Sequence, residues 1–493
     1  MSMLLPVIND HFRGPSEFCK PGSADYKLLP FHFEELDEHR YVAVNFGGDY
    51  IVLAMDQLKQ LISHTLSHDD PLYSELVSRQ FILDPASPVS LDLLATQYRT
   101  RYALLPEFTS LFLFVVSLRC DHSCPYCQVS RQSTDRSAFD MTPEIADKAL
   151  CFVENSPAHS VKIEFQGGEP LLNFELIKYI VNAATTRPKL IAKDVQFVIT
   201  TNLAYLSEEV LDFCAANQVF LSTSLDGPQD LHNANRPRPG GNSHELAVDG
   251  IRRIRQHLGP DKISALMTTT HASLTRVREI IDEYLAQGFS SIFLRWLSPY
   301  GFATKTRAFD KYRINQWLDF YFDGLEYVLE LNRSGVSFRE EYASILVRKI
   351  LTSFPNSYVD LQSPAGIGVA AIAFNYDGFV YASDESRMLA EMGDTSFQLG
   401  HLLRESYQQI MTSPRLMNPL LESMVEGAPM CSDCAFQQYC GADPVYHHAT
   451  QGDSVGHKLF SDHCGRTMAI VRRLIRILED RPEDAGTLRS WAY

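Results

Sequence analysis

Three cysteines fall within eight residues in the stretch CDHSCPYC, at Cys120, Cys124 and Cys127. A second group, Cys431, Cys434 and Cys440, is joined from farther along the chain by Cys464. Clustered thiolates select iron–sulfur clusters or zinc. The second group supplies four thiolates and can close a tetrahedral zinc site or a cubane 4Fe–4S cluster completely. The first group supplies three. On a cubane, three thiolates leave one iron open to bind another molecule. On zinc, three call for a fourth ligand such as His122, and the spacing alone leaves both readings standing. Cys151 and Cys214 lie in helical patterns and read as core thiols, while Cys19 stands alone.

The segments around the first group alternate regularly. Short apolar runs LFLFVVSL, VKIEFQG, VQFVITTN, VFLSTSLD, KISALMTTT and SIFLRWLS are separated by the helical stretches TPEIADKALCFVEN, NFELIKYIVNAA, SEEVLDFCAANQ, HELAVDGIRRIRQHL and TRVREIIDEYLAQG. Continuous apolar strands alternating with helices predict a parallel α/β sheet buried on both faces. Six such units predict a curled sheet, a partial (β/α)6 barrel of TIM type. Its chemistry then sits at the C-terminal strand ends. CDHSCPYC follows the first run. Gly167-Gly168-Glu169-Pro170 ends the second, where glycines allow close backbone approach to a ligand. Thr201-Asn202 ends the third; Ser224-Leu225-Asp226-Gly227-Pro228, then His232 and Arg236, ends the fourth; Arg295 lies on the sixth. Taken singly, each of these is also an ordinary strand-end turn, cap or ion pair.

Before the barrel, HRYVAVNFG and DYIVLAM predict a hairpin through a GGD turn. MDQLKQLISHTL and DPLYSELVSRQ then read as helices, making a small α+β module. After it the chain is irregular and cysteine-rich and ends in the helical pattern TMAIVRRLIRILED. The expected domains are therefore 1–105, 106–335 and 336–493.

Composition bounds the partners. The 493 residues carry 44 Lys+Arg against 60 Asp+Glu, a formal net charge of -16. No basic stripe is present to meet phosphates, so nucleic acid is not an expected partner. No apolar run reaches the ~18 residues of a membrane span, and MSMLLPVINDHFRG lacks the basic start and apolar core of a secretory signal. A cytoplasmic, reducing setting is expected, in which clustered cysteines bind metal rather than pair.

C-x3-C-x2-C with the aromatic Tyr126 before its last cysteine, on the loop after a first barrel strand, resembles the radical S-adenosylmethionine (SAM) signature. The resemblance implies a 4Fe–4S cluster on Cys120, Cys124 and Cys127 whose open iron chelates SAM. Reductive cleavage would then yield a 5′-deoxyadenosyl radical that abstracts hydrogen from an unactivated carbon. It further implies SAM contacts from Tyr126, Gly167, Gly168, Glu169 (to the ammonium), Pro170, Thr201, Asn202, Ser224, Asp226, Arg236 and Arg295. The later cysteines resemble a SPASM domain, implying an auxiliary 4Fe–4S cluster on Cys431, Cys434, Cys440 and Cys464. That domain's proximal auxiliary cluster has no counterpart: Ser363, Ser383 and Pro444 stand where its cysteines would, so two clusters are expected.

Residues 27–102 resemble a precursor-peptide recognition element, which binds an extended leader by strand addition; a structural cap is the alternative. LLPFHFEELDE, NFGGDYIVL, VVSLRCDHSCPYCQVSRQ, VKIEFQGGEPLLN and CGADPVYHHATQGD together resemble the His-Xaa-Ser system radical SAM maturase. That family implies a small ribosomal His-Xaa-Ser precursor peptide as substrate, a second radical SAM maturase as partner, and an external donor such as flavodoxin or ferredoxin. His447 and His448 read as acid–base or cluster-contacting groups, or as packed or solvated histidines. Two alternatives stand beside it: a sulfatase-maturase-like enzyme, and a catalytically silent partner of another radical SAM protein.

Overall fold

The computed structural model describes residues 26–311, 313–355 and 358–493; the opening segment and Cys19 lie outside them. The chain divides into two compact units, Met1–Thr100 and Arg101–Tyr493.

In the first unit, strands β1 (Lys27–Leu28) and β5 (Ile82–Leu83) pair with each other, and β2 (Phe31–Glu35), β3 (Arg40–Asn45) and β4 (Tyr50–Ala54) form an antiparallel sheet in that order. The predicted hairpin is β3–β4. Its turn closes through Gly48, at φ 85°, and through the buried Asn45, whose carbonyl and side chain accept from Gly48 and Asp49. β2 extends the sheet beyond that prediction, because its alternation is weak: Phe33 is exposed. Ala43, Ile51 and Leu53 pack against Leu58 and Leu61 of the helix Met55–Ile62 and Leu72 and Leu76 of the helix Pro71–Ser78.

The second unit is built on an eight-stranded sheet. β6 (Leu111–Ser117), β7 (Ser160–Gly167), β8 (Asp194–Thr200), β9 (Phe220–Ser224) and β10 (Ile263–Leu266) run parallel in sequence order. Each predicted helix between them is present, including Pro143–Glu154, Phe174–Ala184 and Ser243–Leu258. Phe112, Phe114, Val115 and Val116 of β6 are fully buried, as a central parallel strand requires.

The sixth run departs from the expected strand. Only Ser291–Ile292 (β11) is extended, and it pairs with Arg339–Glu340 (β12) in a separate two-stranded sheet. A tight turn from the Arg295 N–H to the Phe293 carbonyl breaks the ladder. The Arg295 carbonyl still accepts from Thr269, just beyond β10, at 3.1 Å, so Arg295 stays at the barrel mouth.

The other side of β6 is covered from the C-terminal region: β13 (Ala371–Phe374) pairs with β6 in parallel, and β14 (Phe379–Tyr381) and β15 (Gln398–His401) follow antiparallel. Barrel and cysteine-rich region thus share one sheet, with no break in contacts near residue 336. Helices Ile314–Arg333, Glu341–Leu351 and Asp462–Asp480 close this unit, and Pro482–Trp491 follows. Among the described residues, no helix is long and apolar enough to cross a membrane.

Candidate active site

The CDHSCPYC loop leaves β6 at its C-terminal end and is tied down at several points. Its root at Leu118 donates to the Phe139 carbonyl and accepts from Gln132 (2.7 Å). The Ser123 N–H donates to the Pro237 carbonyl (2.7 Å), and the Cys127 carbonyl accepts from Phe302 (2.7 Å). So held, Cys120, Cys124 and Cys127 all line one cavity of about 360 Å3 at the strand ends. Among the described residues, no fourth cysteine lines it. Burial pushes the Cys120 thiol up, helped by Glu169, and the Cys124 thiol up to about 12. Metal loading must therefore release protons.

GGEP serves the loop more than the cavity. A Cβ on Gly168 would stand 2.4 Å from the Arg119 carbonyl oxygen and 2.5 Å from that of Leu118. The peptide N–H groups of Gly168 and Glu169 donate to the Ser117 and Arg119 carbonyls (2.8 and 2.7 Å). The close approach that requires glycine is thus made to the root of the cysteine loop, although both Gly167 and Gly168 also face the cavity. Gly168→Ala is expected to lower stability by about 1–3 kcal/mol through overpacking and to reduce iron retention. Thermal unfolding and iron analysis read both.

The Glu169 carboxylate, which the sequence offers as an acceptor for an ammonium group, is fully buried and is not part of the cavity lining. It accepts from Thr201 Oγ1 (2.7 Å) and from the N–H groups of Leu171 (3.0 Å) and Asn202 (2.8 Å). Burial raises its pKa to about 7, and these three donors hold it back from going higher. Glu169 therefore ties the ends of β7 and β8 together. Pro170 starts the short turn that follows, also away from the cavity.

Asn202 reaches the loop directly. Its amide nitrogen lies 3.9 Å from Cys120 Sγ, 3.1 Å from Asp121 Oδ1 and 2.9 Å from His122 Nδ1. Cys120, Asp121 and His122 offer ligand atoms within 4.8 Å of one another. Asp121, however, is paired with Arg238 (3.0 Å), and His122 Nδ1 is held between Asp121 (2.8 Å) and Asn202. Although burial pushes the Asp121 carboxyl up, hydrogen bonds from His122, Arg238 and Asn202 bring it down to about 2. Asp121 and the Nδ1 edge of His122 are thus committed to shaping the loop.

Tyr126 and Asp226 act through Arg236. The Tyr126 hydroxyl donates to Asp226, and the Arg236 guanidinium is bound to the same carboxylate (3.0 and 3.2 Å) while lying 5.5 Å over the Tyr126 ring. Asp226 is fully buried and does not itself line the cavity, whereas Tyr126, Arg236, Thr201, Ser224 and Arg295 do. His232 is buried beneath, its Nδ1 accepting from the Asp226 N–H (3.2 Å).

Sequence reasoning missed Glu164 and Gln166 on β7, which face the cavity, and the C-terminal Tyr358, Asp360 and Glu385. Strand alternation marks the first pair as neighbours on one face. No local pattern marks the others.

In the second cysteine group, Cys431, Cys440 and Cys464 come near one another. Cys464 sits in the first turn of the helix Asp462–Asp480, its N–H capped by Ser461 (3.2 Å). Burial raises its thiol to about 12, with Cys440 and Cys431 near enough to contribute. Cys434 follows Cys431 in a tight turn, its N–H donating to the Cys431 carbonyl (3.1 Å). Ser363 Oγ donates to Glu426 (2.6 Å), Ser383 caps the helix Asp384–Ala390, and Pro444 opens the helix Pro444–Gln451. His447 is buried against Ser461 (2.8 Å), and His448 pairs with Asp394 (2.8 Å).

Residues 114–293 match the family model of the radical SAM superfamily. Over 294 residues, 56% of this chain and 74% of the relative, the sequence is 24% identical to the cysteine-type anaerobic sulfatase-maturating enzyme of Clostridium perfringens. The first curated relative matched, an uncharacterized protein of Methanocaldococcus jannaschii, is 27% identical over 185 residues. These are 37% of this chain, which thus spans 61% of that relative's length. The fold is similar to that of anSMEcpe with bound AdoMet (TM-score 0.61, 15% identity, 78% of this chain and 99% of that one). It is also similar to Streptococcus suis SuiB bound to precursor peptide SuiA (TM-score 0.53, 12% identity, 89% and 99%). The three-cysteine loop, the parallel strands that carry it and the family match agree: residues 114–293 of this chain are a radical SAM domain.

Proposed function

We propose that this protein is a radical SAM maturase that modifies a ribosomally made His-Xaa-Ser-type precursor peptide by hydrogen abstraction, forming a cross-link or another oxidised product. The observation that carries the reading is the cavity of about 360 Å3 lined by three thiols. The donor set fits the cofactors: Cys120, Cys124 and Cys127 would hold a 4Fe–4S cluster with one open iron. When bound, cluster and SAM supply one-electron cleavage of the sulfonium bond and with it the 5′-deoxyadenosyl radical. The chain's own residues supply placement. Asn202, Ser224, Arg236 and Arg295 present polar groups to the cavity, and Gly167 and Gly168 leave room at its wall.

Cys431, Cys434, Cys440 and Cys464 would hold one auxiliary cluster. The hydroxyls of Ser363 and Ser383 are committed to Glu426 and to a helix cap, which supports two clusters rather than three. A peptide substrate is supported by the likeness to SuiB and by the first unit, whose sheet has β2 and β4 at its edges for strand addition. An external donor such as flavodoxin or ferredoxin, a second radical SAM maturase and a cytoplasmic setting complete the reading.

The Clostridium relative favours a second reading, a sulfatase-maturase-like oxidation of a Cys or Ser in a protein; Ser363 and Ser383 weigh against it. The complete CDHSCPYC triad weighs against a silent partner. Co-expression with a His-Xaa-Ser repeat peptide, read by mass spectrometry, is expected to change the peptide's mass. An unchanged peptide in cells where SAM is being cleaved would sink the peptide reading.

A further inference from the structure

A smaller recess of about 40 Å3 lies beside the main cavity; Arg295, Tyr358, Asp360 and Glu385 line both. Three carboxylates meet there from separate parts of the chain: Asp360, Glu385 and Asp443. Two guanidiniums, Arg295 and Arg466, face them, and burial raises the pKa of all three carboxyls, that of Asp443 well above its ordinary value. The charges are not matched pair by pair. Arg466 lies over the Trp296 and Trp317 rings (5.2 and 5.9 Å), and among the described residues neither arginine forms an ion pair with Glu385. Asp443 accepts the N–H of Tyr446 (2.9 Å), and Asp360 is hydrogen-bonded by Tyr358. The Glu385 carboxyl accepts from its own backbone N–H. Its pKa is raised to about 7, by burial first and then by the neighbouring Asp360 and Asp384.

Two further groups point to a missing occupant. The Tyr300 hydroxyl and the Trp317 indole N–H line the recess, are 1% and 2% exposed, and have no hydrogen-bond partner. The Tyr300 hydroxyl lies in the field of all three carboxylates. Buried donors left unpaired cost stability, and a group that pairs with them gains that energy on binding. The recess therefore offers donors at Tyr300 and Trp317, aromatic walls, and at Glu385 a carboxyl that exchanges its proton near neutral pH.

We propose that this recess receives an imidazole side chain of the substrate peptide, an inference that rests on the peptide-maturase reading above. Ammonium and guanidinium groups only donate and leave Trp317 unpaired. Hydroxyls and carboxamides donate and accept but cannot take up a proton. Imidazole donates from one nitrogen, accepts at the other, and gains charge readily beside a carboxylate. Because the recess adjoins the cavity lined by the three cysteines, an imidazole seated in it holds the flanking peptide against the same strand ends.

The test uses the full chain with clusters reconstituted and two probes, N-acetyl-histidine methylamide and its phenylalanine counterpart, followed by ligand-observed NMR. The histidine probe is expected to bind at least about tenfold more tightly. Glu385→Gln and Tyr300→Phe are each expected to remove most of that preference. Tyr300→Phe keeps the ring and deletes only an unpaired hydroxyl, so it reports even if Glu385→Gln fails to fold. Equal binding of the two probes, or a preference that survives Tyr300→Phe, overturns the proposal. SAM cleavage by wild-type protein in the same preparation separates the two ideas. Cleavage without histidine preference sinks the recess alone. Histidine preference without cleavage sinks the enzyme reading and leaves the recess standing.

Discussion

Replacing Cys120 with alanine is expected to reduce 5′-deoxyadenosine formation from SAM and dithionite to the level without protein. The residue lies at the root of the only loop, among the described residues, that brings three cysteines to the strand ends. With two thiols left, a cubane has two irons without protein ligands and is not retained. The auxiliary set Cys431, Cys434, Cys440 and Cys464 is untouched. Iron should therefore fall from about 8 per chain to about 4, one cubane's worth, rather than to zero. Anaerobic reconstitution, iron analysis and chromatography of the nucleoside give the three readings. Wild-type iron near 12 would point to a third cluster and overturn the assignment of Ser363 and Ser383. A Cys120→Ala protein that cleaves SAM as the wild type does would overturn the enzyme reading itself.

The second large effect is expected at Asp226, which is buried with Arg236 and the Tyr126 hydroxyl as its partners. Removing one member of a buried ion pair leaves the other charge uncompensated, at a cost of about 3–5 kcal/mol. Asp226→Ala should show that loss in urea unfolding, together with lost SAM binding, since Arg236 and Tyr126 face the cavity. Burial is the largest influence and pushes the Asp226 carboxyl up, but Arg236, His232 and the Tyr126 hydroxyl together outweigh it and the net direction is downward. A carboxyl held below its unfolded value of about 3.9 stabilises the fold above that pH. The stability difference between wild type and Asp226→Asn should therefore be full at neutral pH. It should shrink as pH falls below about 4, through the folded-state pKa. A difference that grows on acidification would contradict the pairing.

The reach of each kind of reasoning follows from how far apart the interacting residues are in the chain. By itself the sequence determined the parallel strands, because burial on both faces demands continuous apolar runs. It also determined that three thiols share one loop, because they are local, and the order in which GGEP and Asn202 meet that loop. It misjudged the short range at one point, where a tight turn at Phe293–Arg295 breaks the sixth strand. Only the tertiary structure decided that the Gly168 backbone crowds Leu118 and Arg119, and that the buried Glu169 carboxylate accepts from Leu171, Thr201 and Asn202. It likewise decided that β13 completes the barrel's sheet and carries the C-terminal acids to the cavity wall. Asp360, Glu385, Asp443 and Tyr300 have no shared motif or spacing. Their chemistry comes from crowded carboxyls and unpaired donors in one buried recess, a property that exists only once distant segments have packed.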